Sequence, residues 1–126
     1  MERFFWICLA GAAGTGARYV VALGTAQRLG GAPPYGTLIV NLAGCFLMAA
    51  AVYAAPALGW SPTVRGAVTV GFLGGFTTYS SFNYETMRLF DEGRLVAVAV
   101  NVGVTLVGGV VAGGLGLIAA KGILGR

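Results

Sequence analysis

The 126-residue sequence has no histidine, four carboxylates and few charges of either sign. Charged residues make up 10% of it, against roughly 25% in an average soluble domain. Without histidine, no Ser-His-Asp set can form. The two cysteines, Cys8 and Cys45, lie in apolar runs with no CxxC spacing. Neither a disulfide framework nor a thiolate metal site follows from them. The basic residues stand singly, so the net charge of +4 makes no basic stripe and no nucleic-acid partner is expected. The glycine-rich segment at 71–75 has no following lysine, which excludes a phosphate loop. No pair among Glu2, Glu85, Asp91 and Glu92 suits acid–base hydrolysis, so an enzyme is not expected.

What the sequence has is apolar surface. Hydrophobic residues make up 57% of the chain, more than a soluble fold of this length can hide. Residues 4–17, 19–27, 29–64, 66–84 and 95–120 carry no charge. A helix needs about 20 apolar residues to cross the hydrocarbon core. No repeated alternation of polar and apolar residues suggests a β-barrel. The first apolar run has no basic leader, since Glu2 offsets Arg3, and no A-x-A site closes it. It is therefore expected to stay in the mature protein.

The expected fold is an all-α membrane protein: a single domain of four transmembrane helices at about 4–27, 35–55, 63–90 and 95–118. Paired glycines and prolines mark the first turn, at 29–34, and Pro56 and Pro62 bracket the second. Ser61-Pro62 makes a start for the third helix, and residues 91–94 form a short polar connection. The third helix should break in mid-membrane, because Gly71, Gly74, Gly75, Thr77 and Thr78 cluster there. A tight helix crossing accounts for the same small residues. Gly109-x-x-x-Gly113, Ala112-x-x-x-Gly116 and Ala12-x-x-x-Gly16 have the spacing of close helix contacts.

Charge gives almost no orientation. Arg3, Arg65, Lys121 and Arg126 fall on one side, and Arg28, Arg88 and Arg94 on the other. With no clear excess of positive charge, insertion in both directions and an antiparallel dual-topology dimer are expected.

Polar groups within the spans need a reason. Asn41 offers two N–H donors. Tyr79 and Phe82 are three apart on one helix face, and aromatic edges carry positive potential. Thr77, Thr78, Ser80 and Ser81 add hydroxyls. Such groups suit a small anion, although spacing alone favours ordinary packing for the aromatic pair and a cross-helix bond for Asn41. Arg18, inside the first span, could snorkel, pair with Glu85 or lend positive potential to an anion vestibule.

Four blocks of residues resemble the CrcB/Fluc family of fluoride channels. The first is Gly11, Gly14, Arg18 and Tyr19. The second is Pro34, Gly36, Thr37, Leu38, Asn41, Gly44 and Phe46. The third runs from Gly71 and Phe72 through Gly74, Gly75 and 77–82 to Glu85. The last is 92–94 with Asn101 and Gly108. The resemblance covers nearly the whole chain. It implies passive, selective export of F⁻ across the bacterial inner (cytoplasmic) membrane, lowering fluoride toxicity. It implies an antiparallel dimer with two pores and a structural Na⁺, not transported, on backbone carbonyls of Gly74 and Thr77. The implied ion pathway comprises Asn41, Tyr79, Phe82, Ser80, Ser81, Arg18 and Thr37, with membrane lipid as surroundings. Tyr79 stands where the family usually carries Phe, and Gly109 where it often carries a hydroxyl residue. A homodimer is therefore expected, or a heterodimer with a related chain. Two other classes are a proton-coupled multidrug transporter of four helices and a non-transporting scaffold. The first needs a membrane-embedded carboxylate, typically in the first helix, and helix 1 has none.

Overall fold

The structure, a computed structural model, describes residues 1–29 and 34–125. Most of the turn expected at 29–34 lies outside these residues. The described residues form helices and short connections, with no strand among them. The chain is an all-α membrane protein whose third span is broken.

The first helix, α1, spans Glu2–Leu29. Glu2 in its first turn and Arg28 in its last oppose the helix dipole. Helix α2 spans Tyr35–Ala57 and carries Pro56 in its final turn. A proline there removes only one late hydrogen bond, so the helix runs past it. Gly59, at φ 63°, then turns the chain in the left-handed region. Trp60 N–H returns to the Ala55 carbonyl at 3.0 Å.

Ser61 caps the third span, its Oγ accepting from Val64 N–H at 3.2 Å, with Pro62 in the first turn. The span has four parts. Helix α3 is Pro62–Gly66, and Ala67–Leu73 continues as a wider π-helix. A single turn, α4, follows at Gly74–Phe76. Thr77 and Thr78 are extended, with ψ 159° and 113°. Helix α5 then covers Tyr79–Asp91, capped by the Thr78 hydroxyl. The π-helical stretch had no marker in the sequence. Helices α1 and α2 and the last helix, Leu95–Leu124, are long and apolar enough to cross a membrane by length and composition. No single piece of the third span reaches that length.

In the connection after α5, Gly93 at φ 69° makes the turn. Glu92 lies between Arg88, at 3.6 Å, and Arg94, at 3.2 Å. The last helix, α6, spans Leu95–Leu124, longer than the sequence suggested. Lys121 does not end it. The Lys121 ammonium lies over the Tyr53 ring, 5.8 Å from the centroid, and Gly125 at φ 66° stops the helix.

Two glycine contacts hold the bundle. On one side α1 meets the π-helix and α4 backbone to backbone. A methyl group at Gly71 would lie 2.6 Å from the Ile7 carbonyl oxygen, and one at Gly75 2.5 Å from that of Gly11. One at Gly14 would collide with the Phe72 carbonyl. On the other side α2 and α6 run parallel. Gly108 faces Leu42, Gly113 faces the Cys45 carbonyl, and Gly116 sits on the Phe46 carbonyl. The Ala12/Gly16 spacing makes no contact among the described residues of the chain, because a methyl group at Gly16 would meet nothing within 4 Å. The buried apolar residues are few: Val40, Ala55, Leu73, Phe82, Leu89 and Ala120. Most large apolar side chains point outward, as they do when lipid or a partner replaces water.

Candidate ion pathway

The break in the third span is built by Asn41. Its Oδ1 accepts from Thr78 N–H at 2.8 Å, and its Nδ2 donates to the Thr78 carbonyl at 3.0 Å. One side-chain amide thus satisfies both main-chain groups of a buried residue, as a neighbouring strand would. Unpaired main-chain groups are costly in hydrocarbon, so the extended residue needs such a partner. Gly44, one turn further along α2, lets the Thr77 methyl seat where a side chain would collide with it. The Thr78 hydroxyl accepts from Ser81 N–H at 3.2 Å and lies 3.0 Å from Ser81 Oγ and 3.3 Å from Ser80 Oγ.

The same break frees carbonyl oxygens. In an unbroken helix Thr78 N–H would bond the Gly74 carbonyl, and here it goes to Asn41. Thr77 N–H and Oγ1 both turn back to the Leu73 carbonyl, at 3.1 and 3.0 Å. No main-chain donor meets the Thr77 carbonyl among the described residues. Oxygens of this kind are the donors that a hard cation takes, so Gly74 and Thr77 fit a Na⁺ site chemically. No cluster of three or more acidic, His or Cys residues offers an alternative among the described residues.

Immediately after the break come Tyr79 and Phe82, their ring centroids 5.7 Å apart and their planes tilted by 52°. Phe82 is buried and Tyr79 is 76% exposed. Both face an open groove of about 1210 Å³ along α2 and α6. Its polar end holds Asn41, Thr77, Thr78 and Thr105, and its far end is apolar, with Val52 and Leu117. Gly109 lines it without a side chain.

The remaining expected residues fall elsewhere. Ser80 and Ser81 line a smaller recess of about 350 Å³ with Tyr84, Glu85 and Arg88. The Thr78 hydroxyl joins that recess to the groove. Thr37 does not line the groove; its hydroxyl donates to Glu85 Oε1 at 2.7 Å. Glu85 Oε2 is buried with no hydrogen-bond partner among the described residues. Arg18, half-exposed on α1, makes no ion pair among them and does not reach Glu85. The structure therefore brings Asn41, Thr77, Tyr79 and Phe82 together and leaves Arg18 apart. Thr78, one hydroxyl among several in the sequence, lines the groove together with Thr105. Glu85, a candidate ion-pair partner of Arg18 in the sequence, is aimed at Thr37 by its position on α5.

Known proteins resemble this chain along most of its length. The family model described as CrcB-like protein, Camphor Resistance (CrcB), matches residues 5–117. A protein of Sorangium cellulosum named fluoride-specific ion channel FluC is 48% identical over 125 residues, 98% of this chain and 98% of its own. One of the same name from Citrifermentans bemidjiense is 40% identical over 124 residues, 98% of this chain and 100% of its own. Another, from Anaeromyxobacter sp. (strain K), is 44% identical over 113 residues, 89% and 90% of the two chains. With a match that spans nearly every helix, the chain belongs to the CrcB family.

Proposed function

We propose that the chain is a fluoride-specific channel that lets F⁻ leave the cell passively through the cytoplasmic membrane. Family membership supports the ion. The observation that carries the reading is the Asn41–Thr78 pairing, which opens the third span beside two aromatic rings on a continuous groove. F⁻ is small and strongly hydrated, so its path must replace water with fixed donors. One Asn41 N–H remains after the bond to Thr78, and the ring edges of Tyr79 and Phe82 add positive potential. Thr105 supplies a hydroxyl across the groove. A negative cell interior favours anion exit by about 2.3 kcal/mol per 100 mV, so no pump is required.

The working unit is an antiparallel dimer, of identical chains or of this chain and a relative. The near-balanced positive charge on the two sides supports insertion both ways. The open groove and the outward apolar side chains support a partner surface. Gly74 and Thr77 carbonyls from both chains would hold a structural Na⁺, whose charge would offset the carbonyl dipoles gathered at the two breaks. Purified protein in liposomes, loaded with fluoride and read with a fluoride electrode, tests the function. Rapid F⁻ efflux with little Cl⁻ efflux is expected. Equal loss of both ions, or of neither, overturns the reading.

A further inference from the structure

The half-helix α5 starts after two extended residues, so its direction is not inherited from α4. Side-chain hydrogen bonds tie it to its neighbours. Toward α2 these are Asn41 to Thr78 and Thr37 to Glu85. Toward α6, Asn101 Nδ2 donates to Thr86 Oγ1 at 2.9 Å. Thr86 Oγ1 in turn donates to the Phe82 carbonyl at 2.7 Å. A hydroxyl has one proton. With that proton on the Phe82 carbonyl, the Thr86 oxygen is left as acceptor, and Asn101 supplies the donor. The order Asn101, Thr86, Phe82 is therefore fixed by chemistry.

This relay ends on the residue whose ring lines the groove. Phe82 and Thr86 are one turn apart on α5, and Asn101 is one turn before Thr105 on α6, so each pair shares a helix face. Along α5 the buried apolar side chains are Phe82 and Leu89, and such packing is non-directional, so the hydrogen bonds are what give α5 a specific angle. We infer that Asn101 and Thr86 are positioning residues for the ion path. They set the angle of α5 against α6 and so hold the Phe82 ring at the groove. Neither residue needs to touch the ion. The inference rests on the groove being the conduction path, and a second readout separates the two.

Thr86→Val keeps the branched shape and removes the hydroxyl, whereas Thr86→Ser keeps the hydroxyl. Asn101→Leu removes the other end of the relay. In liposomes, Thr86→Val and Asn101→Leu should each slow F⁻ efflux by about tenfold to a hundredfold, the range for a misplaced functional group. Thr86→Ser should stay near the wild-type rate. The double variant Thr86→Val/Asn101→Leu should be no slower than the worse single variant, because both break one relay. In parallel, 4-fluorophenylalanine placed at position 82 should give one ¹⁹F resonance in detergent for the parent and several or a broadened one for Thr86→Val. Wild-type flux in Thr86→Val, equal losses in Thr86→Ser, or additive losses in the double variant overturn the inference. If Thr86→Val does not elute as a folded species, Asn101→Ala carries the same expectations. If the parent protein conducts no F⁻, the proposed function fails, and an unchanged ¹⁹F spectrum in Thr86→Val would still sink the relay on its own.

Discussion

Asn41 does two things at one position, and substitutions separate them. Asn41→Ala leaves the Thr78 N–H and carbonyl without partners, at a cost of about 1–3 kcal/mol for each buried group. Asn41→Asp keeps an acceptor for Thr78 N–H but loses the donor to its carbonyl. Unfolding in mixed detergent should rank the parent above Asn41→Asp and Asn41→Asp above Asn41→Ala, with F⁻ efflux falling in the same order. Phe82→Ile removes the ring edge and should slow F⁻ efflux by about tenfold to a hundredfold while the folded species survives on gel filtration. Gly109 permits the opposite experiment. A β-carbon there would sit 3.5 Å from Cys45 Sγ, an ordinary contact, so Gly109→Ser fits and restores a hydroxyl to the groove. One added hydrogen bond of about 0.5–1.5 kcal/mol should raise efflux by roughly twofold to tenfold. Wild-type efflux in Gly109→Ser would show that the path bypasses this face of α6.

Helices depend here on what they lack. Gly14 lies against the Phe72 carbonyl, so Gly14→Ala forces α1 away from the π-helix and should destabilise the fold by about 1–3 kcal/mol. Gly16→Ala, two residues away and facing open space, should be neutral or stabilise by up to about 1 kcal/mol. The ratio of folded to unfolded protein in a detergent titration checks both. The positions of the helices were legible because uncharged runs and Pro/Gly pairs punctuate them. The region of the break was legible because glycines and threonines crowd it. Its precise form was not, because Thr78 leaves the helix only when Asn41 on another element replaces its partners. For the same reason the sequence named Asn41 as a donor without showing that one of its N–H groups holds the backbone. Thr86 passed unnoticed, since a lone threonine on a helix carries no sign of a partner fifteen residues later. That Gly16 makes no close contact among the described residues was not legible, because glycine spacing alone does not say which face of α1 meets the backbone of the third span.

For the whole molecule, the decisive quantity is orientation. Arg3, Arg65, Lys121 and Arg126 nearly balance Arg28, Arg88 and Arg94, and Glu92 lies against two of the latter group. Cysteines introduced into the terminal segments and the connections should label from both faces of the membrane. Adding several lysines after residue 126 should fix one orientation, and F⁻ efflux from cells should then collapse unless an oppositely oriented copy is co-expressed. Labelling from one face only in the parent would remove the antiparallel dimer. The parallel contact of α2 with α6 carries a further consequence for biosynthesis. These two walls are separated by the entire broken span, so the last helix must be synthesised and inserted before its glycines can meet Leu42, Cys45 and Phe46. Until then the nascent chain holds Asn41 and Phe82 beside an unfinished trough. Truncation before α6 should therefore yield a leaky or rapidly degraded intermediate, not a smaller working conduit.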